Sequence, residues 1–242
     1  MHVSLVGSEM CIRDSSTAMG GDTTANGANS TAMGSITEAS GYASTAMGNE
    51  TRAIGYYSIA TGNTTIARDF ATLVIGQYNS SGSSATGANS YFSFSTSAPA
   101  FVIGNGTASN AKSDAFKVMF NGDTTVSNDL TVSGDVVISS DARLKTNIVS
   151  LGSTLPKLLQ IDGKSYEMKG KQKIGVLAQE IKEVFPELVS EDDNEMLAVN
   201  YQGLVPVLIN ALKEQDAKMK EQEKKINRLE KILLKLNENY ED

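Results

Sequence analysis

A serine stands five residues before a lysine in Ser140-Asp141-Ala142-Arg143-Leu144-Lys145, which continues as Thr146-Asn147-Ile148. These residue types could make and break an acyl bond. A serine hydroxyl is a weak nucleophile until a neighbouring base takes its proton, and lysine is that base in one variant of the serine triad. A free lysine has a pKa of about 10.4, so burial or a nearby cation must lower it for the role. Arg143, or basic groups of another chain, could supply the cation. The spacing alone has almost no specificity: Ser140 or Asp141 capping a short turn, with Lys145 in solvent, accounts for the same six residues.

The hexapeptide lies at a sharp change of composition. Before it the chain is rich in glycine, serine and threonine and nearly free of charge; after it come Lys, Glu and Leu and a long helical pattern. A junction this sharp suggests two bodies with different jobs. The 242 residues suffice for one or two domains, but aromatics are 6% and Trp is absent, so residues 16–140 have little with which a monomer could build a core. That half is either disordered or a repeat architecture held by backbone pairing and association with other chains. A net charge of −7 argues against a nucleic-acid partner. No apolar run approaches the roughly 18–20 residues of a transmembrane helix, so no membrane insertion is expected.

Residues 1–15 need separate treatment. Ser4 to Ser15 reads SLVGSEMCIRDS, which resembles one reading frame of the mosaic-end adapter of transposase-based sequencing libraries. These residues are expected to be foreign, and the chain a fragment lacking its true N-terminus. A signal peptide fits poorly, because Glu9, Arg13 and Asp14 interrupt the apolar core it requires. Cys11 and His2 are the only Cys and His of the chain. Setting them aside leaves no thiol nucleophile, imidazole base, disulfide or Cys/His metal site, and no cofactor is expected.

Ser-Thr-Ala-Met-Gly recurs at Ser16, Ser30 and Ser44, and the same register continues as Ser58-Ile-Ala-Thr-Gly62 and Thr72-Leu-Val-Ile-Gly76. Gly27, Gly41 and Gly55 mark a half-repeat. A small or apolar residue stands two places before each glycine, from Ala18 through Ala60 to Val74. A helix with glycine at every seventh position would lose about 1 kcal/mol at each. The pattern therefore predicts short strands alternating with turns, glycine supplying the positive φ of each turn and alanine filling a narrow interior. The glycine expected at position 69 is absent, and the repeat is expected to end near Gly76. It resembles the head repeats of trimeric autotransporter adhesins, which implies a parallel β-roll assembled as a homotrimer over residues 16–79.

Residues 80–139 read as a β-rich connector. Strands are predicted over Ala115 to Phe120 and Thr124 to Val126 around the turn Asn121-Gly122-Asp123, then at Leu130 to Val132 and Val136 to Ile138. Such short pieces are unstable alone and suit an intertwined three-chain β stalk, with a small sandwich as the competitor. The aromatic cluster from Tyr91 to Phe101 reads as packing before receptor contact. Further on, Ile174 and Val176 alternate as in a strand, and Ile181, Val184 and Phe185 share a helix face stopped by Pro186. Glu191 to Glu195 is a charged loop without EF-hand spacing, and Leu197 to Val199 a strand. The final helix carries a 4-3 stripe: Tyr201, Val205, Leu208, Leu212, Gln215, Met219, Gln222, Ile226, Leu229, Leu233, Leu236, Tyr240. With the i,i+4 pairs Glu214–Lys218 and Glu221–Lys225 it favours a multi-chain coiled coil beyond Pro206.

SDARLKTNI, IGVLAQEIKEVFPELV and LAVNYQGLVPVLINALKEQ together resemble the C-terminal intramolecular chaperone of phage endosialidases, tail spikes and tail fibres, over about Ser140 to Leu236. The resemblance implies a homotrimer that guides assembly of the preceding β fibre and then releases itself as a self-cleaving serine peptidase. Ser140 would be its nucleophile, Lys145 its base, and Ser140–Asp141 the scissile bond. The expected organisation is an artefact over 1–15, a β-roll over 16–79, a stalk over 80–139, a small α+β chaperone/peptidase domain over 140–203, and a helix with a trimeric coiled coil over 204–242. A phage or prophage tail fibre or a bacterial cell surface is the expected location, with a host-cell surface receptor or glycan as candidate partner. The alternative is an adhesive trimeric surface fibre that is never cut.

Overall fold

A computed structural model describes residues 11–12, 15–192 and 195–238, in two compact units that divide between Val137 and Ile138. The roll strands run Cys11–Ile12 (β1), Thr17–Gly21 (β2), Thr24–Ala25 (β3), Thr31–Ser35 (β4), Glu38–Ala39 (β5), Thr45–Asn49 (β6), Arg52–Ala53 (β7), Ile59–Asn63 (β8), Ile66–Ala67 (β9) and Leu73–Gln77 (β10). Each fourteen-residue repeat makes one coil of a β-solenoid. Its long strand joins one parallel sheet and its two-residue strand joins the other. The stacking is in register, Ala18 against Ala32, Ala32 against Ala46 and Ala60 against Val74. Between the sheets lies a file of buried side chains, Ala18, Ala25, Ala32, Ala39, Ala46, Ala53, Ala60, Ala67, Val74 and Val102.

Glycine serves in part as expected: Gly20, Gly34, Gly48, Gly62 and Gly76 hold positive φ, whereas Gly27, Gly41 and Gly55 do not. The left-handed residue of each turn is Asp22, Asn29, Ile36, Ala43, Glu50, Tyr57, Thr64 or Ala71. From Ile36 onward its N–H donates to the preceding coil, as Ile36 N to Gly21 O at 2.8 Å and Thr64 N to Asn49 O at 2.8 Å. Those hydrogen bonds offset a backbone cost of order 1–2 kcal/mol per non-glycine residue. Close stacking requires the glycines of both half-repeats. A Cβ at Gly27 or Gly41 would overlap the carbonyl of the next coil; at Gly34 and Gly48 it would do so too, with φ at +126° and +123°.

This explains Asp69 at the missing glycine. There the next coil gives way to residues 80–98, and the Asp69 carboxylate accepts from Thr86 N at 2.9 Å and Thr86 Oγ1 at 3.1 Å. Asn79 closes the edge of the short-strand sheet by exchanging hydrogen bonds with Ile66 N and O. The long-strand sheet continues past Gly76: Pro99–Asn105 (β11) lies parallel to β10 with Gly104 opposite Gly76, and Asp114–Met119 (β12) and Thr124–Val126 (β13) follow antiparallel. The strands expected at 130–132 and 136–138 do not form. The chain offers them no pairing partner, and Leu130, Val132, Val136, Val137 and Ile138 are exposed. Of the N-terminal stretch expected to be foreign, most lies outside the described residues; β1 pairs Cys11 with Thr24, out of the fourteen-residue register.

The second unit is a small α+β body. Leu155–Leu158 (α1) precedes a hairpin, Lys164–Met168 (β14) and Lys171–Gly175 (β15), turned through Lys169 and Gly170, both at positive φ. Ala178–Val184 (α2) ends before Pro186, and Val189–Glu191 (β16) pairs with Leu197–Val199 (β17). Ile181, Phe185 and Val207 form its core. The last element, Leu204–Glu238 (α3), lays Leu204, Val207 and Ala211 on this body, residues three and four apart on one helix face. The 4-3 stripe occupies another face, with Leu229 and Leu233 about 60% exposed. Tyr201 is not on the helix: it opens a 3-10 turn, and its hydroxyl accepts from Val176 N at 3.2 Å. Tyr240, and Asp193 with Asn194 of the charged loop, lie outside the described residues. No helix among the described residues is long and apolar enough to cross a membrane.

Candidate functional site

The segment 139–152 is exposed throughout, so local hydrogen bonds must order it. Ala142–Leu144 forms a 3-10 turn, with Leu144 N donating to Asp141 O and Lys145 N to Ala142 O, each at 3.1 Å. Two overlapping i→i+3 bonds reverse the chain. Lys145 returns beside Ser140 and its Nζ donates to Ser140 Oγ at 2.7 Å. The two residues of the expected dyad are therefore in direct contact within one chain, and both face solvent.

Arg143 is placed otherwise than expected. Its guanidinium turns to Asp141, with Nε donating to Oδ1 at 3.0 Å and Nη2 to Oδ2 at 2.7 Å. Its backbone N–H donates to the same Oδ1 at 2.8 Å, so Asp141 is also the N-cap of the turn. The guanidinium contact, and after it the backbone one, hold the Asp141 carboxyl below the usual aspartate range; the same contact raises Arg143. The charge expected to act as a cation on Lys145 is thus compensated by the neighbouring carboxylate. Sequence reasoning missed this pair, although Asp-x-Arg across a tight turn was its available signal.

A second polar contact ties the segment that follows to the final helix. Glu214 Oε2 accepts from Ser153 Oγ at 2.7 Å, and Oε1 accepts from Thr154 N and from Leu155 N, the latter at 3.2 Å. Glu214 therefore caps α1 from a distance, where Thr154 provides no side-chain cap. The buried Thr154 hydroxyl donates to Val207 O at 2.9 Å. The Ser153 hydroxyl and then the Thr154 amide lower the Glu214 carboxyl below the glutamate range against its desolvation, with Leu155 N–H and Lys218 assisting. Glu214 is thus engaged by α1 while Lys218 acts on it only as a nearby charge; Glu221 and Lys225 do form their ion pair, at 2.7 Å. Among the described residues no group of acidic, His or Cys side chains could hold a metal ion.

Two family models match the chain. Residues 140–190 match the peptidase family S74 model described as chaperone of endosialidase, a match that begins at Ser140 and ends before the third block of the resemblance. Residues 14–35 and 39–65 match two copies of the YadA head domain repeat. No curated protein matches the chain. The chain therefore combines adhesin-type head repeats, folded as a β-solenoid, with a chaperone-of-endosialidase region after them.

Proposed function

We propose that the chain is part of a trimeric tail or surface fibre whose C-terminal region assembles the fibre and then severs itself at Ser140–Asp141. The observation that carries this reading is the 2.7 Å contact between Lys145 Nζ and Ser140 Oγ, at the first residue of the chaperone match. Lys145 as the neutral amine takes the serine proton, and returns it to the backbone nitrogen of Asp141 as the C–N bond breaks. Oγ and the carbonyl carbon of Ser140 belong to one residue and would close a four-membered ring. Attack on that carbon therefore comes from Ser140 of a neighbouring copy. Water then hydrolyses the Oγ ester so formed, freeing that serine and leaving Ser140 as the new C-terminal carboxylate. Where a water attacks directly, the proton that Lys145 takes and passes to the Asp141 nitrogen is the water's.

Surfaces left open in the single chain support the trimer. The α3 stripe from Val205 to Leu236 is exposed, as are Met19, Met33 and Met47 on the outer face of the long-strand sheet and the apolar residues between 130 and 138. Burial against other copies removes apolar area from water at roughly 25 cal/mol per Å². It would also desolvate the exposed dyad, which favours the neutral amine.

The test is expression of the intact chain beside Ser140→Ala and Lys145→Ala. A fragment of about 11 kDa, in proportion to 25.7 kDa for 242 residues, should leave the wild type alone, with Asp141 as its first residue by mass spectrometry. Wild type that stays full-length in trimers overturns the cleavage and leaves the uncut adhesive fibre.

A further inference from the structure

We infer that Arg143 is a positioning residue for the cleavage: it clamps the Asp141 carboxylate and so keeps that carboxylate off Lys145. The inference rests on the self-cleavage reading. Four hydrogen bonds converge on Asp141, two from the guanidinium and one from the backbone of Arg143, and one from Leu144 N to its carbonyl. All lie in a segment without a buried residue. An exposed ion pair contributes little to fold stability, so an effect on the chemistry is the clearer consequence of this arrangement.

The turn holds one carboxylate, Asp141, and two cations, Arg143 and Lys145. The structure sorts them. The planar fork of arginine takes both carboxylate oxygens, a geometry lysine cannot reproduce, and Lys145 is left on the hydroxyl of Ser140. Without Arg143, the Asp141 carboxylate becomes available to the Lys145 ammonium. That contact would favour the protonated lysine and draw it from the serine, and a base that holds its proton more tightly is less populated at neutral pH. The low position of the Asp141 carboxyl agrees with its being committed to Arg143.

Rates of fragment release from the full chain should be measured from pH 6 to 10 for wild type, Arg143→Gln, Arg143→Lys and the double variant Asp141→Asn/Arg143→Gln. Arg143→Gln should cut about tenfold more slowly at neutral pH, with its profile displaced by about one unit to higher pH. The double variant should return to the wild-type profile, because the competing carboxylate is gone, and Arg143→Lys should fall between. A purely structural role would lower the rate at every pH and would not be relieved in the double variant. Equal profiles for wild type and Arg143→Gln, or a loss that the second substitution leaves unchanged, overturn the inference. Wild type that never cuts overturns the cleavage reading instead. An NMR titration of Lys145 then decides the clamp: a higher midpoint in Arg143→Gln supports it, and equal midpoints overturn it.

Discussion

Ser140 meets Lys145 because a 3-10 turn, capped by the Asp141 side chain, compresses the four residues between them. The side chains are exposed, so the contact is a matter of local geometry and not of a core. Lys145→Arg keeps a donor for Ser140 but cannot give up its proton at ordinary pH. It should lower fragment release by about 10²–10⁴-fold, the usual share of a general base, in a time course followed by gel, with assembly unchanged. The serine and the lysine were legible in the sequence through the blocks around them. The Asp141–Arg143 pair was not assigned, because a charged residue two places from another declares no partner until the backbone between them is known to turn.

At the scale of the element, the repeat gave strands, alanine interior and phasing directly. Positive φ is found at Gly20, Gly34, Gly48, Gly62 and Gly76, but at Gly27 and Gly41 stacking distance between coils, not backbone conformation, sets the requirement. Gly48→Ala places a methyl group on the Gly62 carbonyl at φ +123°. Separating the coils to relieve it should cost about 3–5 kcal/mol, read as a lower denaturation midpoint of the head repeats. In the second unit Glu214 stabilises the N-terminus of α1 only when ionised. Its folded carboxyl lies below the unfolded value of about 4.3, so the contribution is full above that pH and is lost as pH falls through the folded value. Glu214→Gln should therefore lower the melting temperature at pH 7, with the difference from wild type closing in strong acid. Amide exchange at Thr154 and Leu155 should quicken in the variant.

For the whole molecule, the apolar surfaces left open include the α3 stripe that sequence assigned to contacts between chains. The α3 stripe remains in solvent although the same helix buries Val207 and Ala211 on its own unit, so the helix has one intramolecular face and one to spare. Leu229→Asp with Leu233→Asp should convert trimers to monomers in light scattering after gel filtration. It leaves the core around Ile181 and Phe185 intact, because neither leucine belongs to it. Release of the fragment should fall with assembly if burial by other copies brings the dyad into action.

By itself the sequence determined the short phased strands of the repeat, its alanine file, the strand around Ile174 and the helix stopped by Pro186. Each rests on periodicity or on a residue whose local conformation is restricted, information carried by neighbours along the chain. Tertiary structure decided what depends on distant segments. It showed that Asp69 replaces glycine where a coil gives way to residues 80–98, that β11 extends the sheet, and that Tyr201 serves Val176 instead of the stripe. It also showed that Glu214 caps a helix some sixty residues earlier. Hydrogen-bond partners chosen by proximity in space leave no period in sequence, and only the folded chain names them.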